Sequence, residues 1–187
     1  IRCGFLPVKE RIIPTASIDN NKILSKGYEL IIVVGEKTIY IGKTISIQDY
    51  KNYSFRDYGR PARDSHSGMT PPKLAKMMIN LARKTDDQHL LDPFCGSGTF
   101  LMEMLLLGYK HITGSDLEPK AVSDTQTNTD WVLENYPQID KSSEIGIFQC
   151  DAKKISQKIA KKSIDAVITE PYLGSPKAIH YNQLQIS

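Results

Sequence analysis

Residues 90–99 read Leu-Leu-Asp-Pro-Phe-Cys-Gly-Ser-Gly-Thr, and this stretch decides the fold. Two apolar residues followed by an acid are typical of a short buried strand, and the apolar run over residues 100–107 is typical of a buried helix. Between them, Gly96 and Gly98 permit either a tight turn or the close approach of a ligand to the backbone. Both interpretations stay open from this stretch alone.

Strands and helices alternate along the rest of the chain after residue 70. The spacing of apolar residues predicts helices over residues 70–82, 100–107, 119–136 and 152–161, with Thr70 as the cap of the first. The predicted strands cover residues 90–92, 111–116, 145–148 and 164–169. This alternation predicts an α/β fold with a parallel, doubly wound sheet that is truncated after its fourth strand.

The first third of the chain has a different pattern. Residues 1–28 contain prolines and a polar run, so we predict irregular structure there, whereas residues 29–34 and 38–42 predict a β-hairpin. We divide the chain into an N-terminal region with this hairpin, an Arg- and Tyr-rich ordered linker and a partial α/β domain, over residues 1–50, 51–69 and 70–187.

Composition excludes several classes of protein. Of the 187 residues 40% are hydrophobic and 24% are charged, which is ordinary for a globular protein and excludes collagen-like, coiled-coil and wholly disordered chains. No apolar run approaches the roughly 18–20 residues of a membrane-spanning helix. The start carries neither an initiator Met nor a signal peptide, so we expect a piece of a longer chain.

The cysteines and the charges indicate the redox compartment and the kind of partner. Three scattered cysteines form no Cys-x-x-Cys pair, so we expect no metal site, no disulfide framework and a reducing, cytoplasmic location. The net charge is +3, and the basic excess lies within residues 1–70, which weakly favours an acidic partner there.

Further polar sites follow the ends of the other predicted strands. Asp116 can accept hydrogen bonds from the ribose of an adenosine ligand, and Asp151 can accept one from the amine of adenine. Residues 169–172, Thr-Glu-Pro-Tyr, can hold a planar base or an amine. Each aspartate can also cap the helix that follows it, although the spacing of Asp116 from Gly98 favours the ribose contact there. All these sites nevertheless lie at the carboxyl ends of parallel strands, the edge where doubly wound sheets bind ligands.

This ordered series resembles the Rossmann-like S-adenosylmethionine-dependent methyltransferases. The segment that precedes the glycine-rich turn contains Arg56-Asp57, Arg60-Pro61 and Gly-Met-Thr-Pro-Pro-Lys-Leu-Ala over residues 68–75. It is similar, more narrowly, to the tRNA methyltransferases that modify the N2 amine of guanosine 10. In that family an RNA-binding region with a THUMP domain precedes the catalytic domain, which implies that residues 1–50 are a remnant or junction of such a region.

The resemblance implies a cofactor, a substrate and their binding residues. S-adenosylmethionine would contact Thr70, Pro71, Asp92, Phe94, Gly96, Gly98, Asp116 and Asp151. The catalytic loop would be Thr169, Glu170, Pro171 and Tyr172, with the tyrosine stacked on a flipped-out base. Phosphates of tRNA or another structured RNA would contact Arg56, Arg60, Arg63 and Lys73.

The chain departs from this family at two points. The family's catalytic loop reads Asp or Asn, then Pro, Pro and an aromatic residue, whereas Thr169 and Glu170 stand at its first two positions here. Thr169 can still accept a hydrogen bond, and the carboxylate of Glu170 can replace the missing charge. A complete domain of this class has seven strands, so we expect a partner chain or a missing C-terminal segment to complete the sheet, which would otherwise have an unpaired edge.

Three functions remain open from the sequence. The first is methyl transfer to the N2 amine of a guanosine in tRNA. The second is a non-catalytic RNA-binding module that keeps the fold, and the third is an amine methyltransferase acting on adenine in DNA, on another RNA or on a protein side chain. A nicotinamide dehydrogenase is disfavoured because Leu101 occupies the place of the third glycine in its fingerprint.

Overall fold

The computed structural model of the protein describes residues 13–64, 68–82, 85 and 87–171. The chain divides into two compact units, Ile1–Ser54 and Phe55–Ser187. The boundary falls inside the segment that the sequence indicated as a linker, over residues 51–69. Most of that segment therefore belongs to the α/β unit.

The first unit contains two short helices and a hairpin. The helices are α1, Thr15–Asn20, and α2, Ile23–Lys26, so the prediction of irregular structure is wrong for this part. Pro14 stands at the N-cap of α1, where a missing N–H group costs nothing, and so it did not prevent a helix. Strands β1, Leu30–Val34, and β2, Ile39–Lys43, pair antiparallel as predicted. All ten strand residues are exposed.

A third helix, α3, spans Tyr50–Tyr58 in the segment that we predicted as a linker. Its buried residue is Arg56, so a charged side chain occupies the position at which an apolar residue would have revealed the helical period. The ring of Phe55 lies 5.0 Å from that of Trp131. The C-terminal part of α3, from Phe55 on, thus lies within the α/β unit and contacts Trp131 there.

The second unit is a four-stranded parallel sheet in the order β5-β4-β3-β6, with helices between the strands. This is the predicted doubly wound arrangement, with β3 and β6 adjacent where the strand order reverses. The elements are α4, Pro72–Ala82; β3, His89–Asp92; α5, Thr99–Leu106; β4, His111–Asp116; α6, Pro119–Asn135; β5, Glu144–Gln149; a 3₁₀ helix, Ala152–Gln157; and β6, Ala166–Val167.

Two elements are shorter than the sequence predicts. The predicted helix over residues 152–161 is a 3₁₀ helix of six residues, whose first turn is capped by the Asp151 carboxylate at 2.9 Å from the backbone nitrogen of Lys153. Strand β6 has two residues, which pair with Leu90 and Leu91 of the short β3.

The core of this unit surrounds α5. Seven of the eight α5 residues are buried, and Gly114 of β4 lets the helix approach the sheet closely. A Cβ atom at Gly114 would lie 2.7 Å from Cδ2 of Leu101, well inside the contact distance. Within the described ranges, no helix combines the length and the apolar character needed to cross a bilayer.

Candidate functional site

The carboxyl ends of the parallel strands gather the predicted site residues at one edge of the sheet. Backbone hydrogen bonds align these ends: Cys95 N donates to Ser115 O and Cys150 N donates to Asp116 O, both at 2.9 Å. The sites that follow β3, β4, β5 and β6 therefore face the same edge, as expected from the topology.

Asp92, the last residue of β3, is fully buried. Its Oδ1 accepts hydrogen bonds from Phe94 N at 3.1 Å and from Thr169 Oγ1 at 2.5 Å. Its Oδ2 has no hydrogen-bond partner among the described residues. Burial raises the pKa of Asp92 to about 7, and the neighbouring charge of Asp116 adds to this effect. A buried carboxylate with one unused oxygen is suited to a cationic amine.

Two positions of the glycine-rich turn have backbone conformations that favour glycine. Gly96 has φ +52° and Gly98 has φ +82°, both in the left-handed region. A Cβ atom at Gly98 would lie 3.0 Å from Cγ2 of Thr125 in α6, so a side chain would clash as well as strain the backbone. The Thr125 hydroxyl donates to Gly96 O at 2.8 Å and holds the turn in place.

Asp116, at the end of β4, fastens the glycine-rich turn to the next strand. Its Oδ2 accepts from Gly96 N at 3.0 Å, and its Oδ1 accepts from Glu118 N at 3.1 Å ahead of α6. The carboxylate is half-buried. Each oxygen still has a lone pair for a ligand hydroxyl, so the cap and the ribose contact are compatible and the ribose contact stays a prediction. Asp151, in the same way, caps the 3₁₀ helix, and its contact with adenine stays a prediction.

The loop after β6 joins the segment that precedes α4. Thr169 contacts Asp92, and the carboxylate of Glu170 accepts a hydrogen bond from the Thr70 hydroxyl. Thr70 is therefore not the cap that we predicted: α4 begins at Pro72, two residues later. Pro171 is exposed, and Tyr172 lies outside the described residues. The structure thus brings residues predicted for the cofactor and for catalysis into direct contact.

The RNA-contact prediction needs a correction at two of its four residues. Arg56 is buried, with Nε 2.5 Å from Oε1 of Glu103 in α5, and Arg60 is buried, with Nη1 2.6 Å from Oγ1 of Thr99. These guanidinium groups point into the protein and bind side chains of α5, so they do not face a phosphate. Arg63 and Lys73 are exposed, and their RNA contact stays a prediction.

Sequence reasoning missed Asn128 as a positioning residue. This side chain of α6 is fully buried. Its Nδ2 donates to Ser97 O at 2.7 Å and to Ala62 O at 2.8 Å, and its Oδ1 accepts from Ala62 N at 3.0 Å. It therefore ties the glycine-rich turn to the segment that follows Arg60. The sequence offered one signal for this role, which is a polar residue on the face of the predicted helix that is expected to be buried.

The geometry gives little support to catalysis by a cysteine nucleophile or by a bound metal ion. Burial raises the pKa of Cys95 to about 12, so its thiol stays protonated and is a poor nucleophile at neutral pH. Among the described residues, no three His, Cys, Asp or Glu side chains cluster as a metal site would require.

Comparisons with known proteins identify the family of this chain. Residues 60–180 match the profile of a family described as "UPF0020: RMKL-like, methyltransferase domain". A tRNA (guanine(10)-N2)-dimethyltransferase of Methanocaldococcus jannaschii is 34% identical over 146 residues, which cover 76% of this chain and 39% of the relative. One of Pyrococcus abyssi is 32% identical over 153 residues, or 81% of this chain and 43% of the relative.

A solved structure gives the same fold. TrmN from Thermus thermophilus superposes with a TM-score of 0.50 and 21% identity over 79% of this chain and 40% of that chain. At this identity the likeness concerns the fold alone. The chain spans between 39% and 43% of the length of the two curated relatives above.

Proposed function

The chain belongs to the family of RMKL-like methyltransferase domains, and we propose that it transfers a methyl group from S-adenosylmethionine to the N2 amine of a guanosine in tRNA. The cofactor is the methyl donor of this class of domain. The nucleotide and the RNA are part of the proposal, supported by the names of relatives that are 28–35% identical.

One observation carries the proposal: the hydrogen bond between Thr169 and Asp92, at 2.5 Å. It joins the strand before the glycine-rich turn to the loop after β6. A methyl donor held along the turn and an acceptor base held by the loop would therefore meet at this contact. Bringing two reactants together in line supplies a large part of the rate of such a transfer.

The residues fit the cofactor. The unused Oδ2 of Asp92 suits the ammonium group of its methionine part, because a buried carboxylate oxygen without a donor is otherwise costly. The half-exposed ring of Phe94 and the open space beside Gly96 leave room along the turn. Asp116 would accept from the ribose and Asp151 from the adenine. Thr70 and Pro71, ahead of α4, would border the cofactor as well.

The loop residues would make the amine reactive. The lone pair of the guanine N2 is delocalised into the ring, so acceptors that bond its protons help it to attack. Thr169 donates its own proton to Asp92, which leaves its oxygen lone pairs for the amine. The Glu170 carbonyl, held by Pro171, would be the second acceptor, and Tyr172 would stack on the base. A donor bound along the turn would supply the methyl group and leave as the thioether, and the nitrogen that accepts the methyl group would lose one proton to solvent.

Methyl transfer from labelled S-adenosylmethionine to an unmodified tRNA transcript, followed by nucleoside analysis, tests the proposal. We expect N2-methylguanosine. Asp116→Ala should reduce transfer by about tenfold or more, as the loss of hydrogen bonds from ribose to a charged group would. Asp130→Ala is the matched control, since that aspartate is exposed on α6 and, among the described residues, its side chain accepts a hydrogen bond from Gln126 alone.

Other outcomes would select the alternatives. Methylated adenine, or transfer to DNA or protein, would favour an amine methyltransferase with another substrate. Binding of tRNA without cofactor binding would favour the non-catalytic module, which the Thr169-Glu170 departure motivates. Completion of the sheet by a partner chain or by a further segment, and the cytoplasmic location, are also parts of the proposal.

A further inference from the structure

A ribbon of lysines follows the predicted adenine contact. Between Asp151 and Asp165 the chain contains five lysines and no acidic residue, and we call these five the lysine ribbon. Its charge exceeds the net charge of the whole chain, which is +3. Its members are Lys153, Lys154, Lys158, Lys161 and Lys162.

All five lysines are exposed. In the part of the chain that the structure describes, none of them has an ion-pair partner. Three exposed lysines elsewhere do have one: Lys51 pairs with Asp19, Lys110 with Asp140 and Lys120 with Asp124. The ribbon is therefore a surface whose positive charge is not neutralised within the protein.

The ribbon begins at the edge of the sheet that holds the candidate site. Asp151 closes β5, and its carboxylate caps the 3₁₀ helix that carries the first two lysines. Strands β5 and β6 are three strand spacings apart, which is about 15 Å. A polyanion whose reactive nucleotide lay at Thr169 could thus reach the ribbon with its neighbouring phosphates.

We infer that the lysine ribbon binds the phosphate backbone of the RNA substrate. This inference rests on the proposed function for the identity of the RNA. Lysine ammonium groups bind phosphates as point charges without reading sequence, and they position a nucleic acid by electrostatics. The burial of Arg56 and Arg60 removes two expected phosphate contacts. The lysine ribbon has more basic residues than any other stretch of the sequence between two successive acidic residues.

The apolar residues of this segment do not suit a membrane surface. Ile155 and Ile159, the larger apolar side chains between the lysines, are half-buried. An interfacial membrane segment would expose such side chains for insertion. Charge without exposed large apolar groups favours a hydrated polyanion as the partner.

The test compares two triple variants that remove the same charge. Lys153→Gln, Lys154→Gln and Lys158→Gln neutralise the ribbon, whereas Lys51→Gln, Lys110→Gln and Lys120→Gln neutralise lysines that already have acidic partners. The dissociation constant of an unmodified tRNA transcript is measured for the chain and for both variants between about 50 and 200 mM salt. Titration with S-adenosylhomocysteine checks that each variant keeps its fold.

We expect the ribbon variant to bind tRNA about tenfold or more weakly, and to lose about two units of the slope of log K against log salt. The control variant should change neither quantity beyond the effect of net charge. Equal effects of the two variants, no effect of either, or no tRNA binding by the unchanged chain would overturn the inference. Ribbon-dependent binding without any methyl transfer would instead refute the proposed function and leave the ribbon in place.

Discussion

Asp92 differs from the other acids of the site because its charge is not compensated within the described protein. Two donors serve Oδ1, none serves Oδ2, and burial raises the pKa to about 7. Without a ligand the folded protein therefore holds the proton of Asp92 more tightly than the unfolded chain does. Ionisation of Asp92 in the folded state therefore lowers the free energy of unfolding, and a bound cationic ligand would restore that free energy.

The raised pKa of Asp92 predicts how stability changes with pH. A group whose pKa is higher in the folded state stabilises the fold below its unfolded pKa, and this contribution is lost as the pH rises through about 7. We expect the free energy of unfolding of the ligand-free protein to fall by up to about 4 kcal/mol between pH 4 and pH 8 from this residue. Urea unfolding at several pH values measures it.

Asp92→Asn is the matched comparison for that pH dependence. Asparagine keeps the shape and stays neutral at all these pH values, so the fall should shrink by most of the contribution of Asp92. A variant whose stability declines as steeply as that of the unchanged protein would assign the effect to other groups, such as the buried Glu103, whose pKa is also raised by burial.

Gly114 makes a second residue-scale prediction. Gly114→Ala would place a Cβ atom 2.7 Å from Cδ2 of the buried Leu101, and we expect a loss of about 1–3 kcal/mol from overpacking. Gly146→Ala is the control, because its Cβ atom would meet only Oγ1 of Thr113, at an ordinary 3.6 Å. Chemical denaturation of both variants checks the difference. Equal losses would show that the strand conformation, and not the contact, disfavours a side chain.

At the scale of elements, helix α6 holds the glycine-rich turn in position as well as covering the sheet. Thr125 and Asn128 lie one helical turn apart and both bond the backbone of the glycine-rich turn. Asn128 bonds Ala62 as well, so α6 holds together two segments that are distant in sequence. The turn is thus positioned from three sides, by α6, by Asp116 and by the N-terminus of α5.

Asn128→Ala should therefore affect both stability and ligand binding. One buried and two partly buried hydrogen bonds disappear and leave backbone groups of Ala62 and Ser97 without this partner, which we expect to cost about 2–3 kcal/mol. Asn135→Ala, on the same helix, removes only an exposed bond to Trp131 O and serves as control. Thermal unfolding and titration with S-adenosylhomocysteine measure both effects. Unchanged affinity in a folded Asn128 variant would contradict the positioning role.

Elements with a clear apolar period were predictable from the sequence, and those without one were not. Strand β4 and helix α6 have nearly the predicted bounds, because apolar spacing and Pro119 mark them. Helix α3 was missed because Arg56 occupies its buried position. Likewise, the four strand-end sites follow from topology alone, whereas the bonds of Thr169 and Asn128 depend on side-chain packing that no spacing reveals.

At the scale of the molecule, the two units differ in how many of their apolar side chains they bury. The sheet unit has a contiguous core around α5, whereas every strand residue of the hairpin is exposed. The family match covers residues 60–180, so the hairpin lies outside the matched domain.

This contrast predicts where substitutions are tolerated. Ile32 and Ile41 face each other across the hairpin and are 65% and 73% exposed, so replacing both by Thr should change the free energy of unfolding by less than about 0.5 kcal/mol per site. Ile112→Thr, in the core strand β4, is the counterpart, and it should cost about 2 kcal/mol or more because the side chain is fully buried. Urea unfolding separates the cases. A large loss from the hairpin pair would mean that these strands are covered in solution.

The chain contains a single tryptophan, Trp131, and its surroundings make it a natural optical reporter. Its ring lies 5.0 Å from that of Phe55 in α3 and 6.4 Å from that of Tyr136 beyond α6. Any event that loosens the packing of Phe55 on α6 should change the polarity around this one indole. Its emission wavelength therefore follows that packing without any label, and stopped-flow mixing can time it.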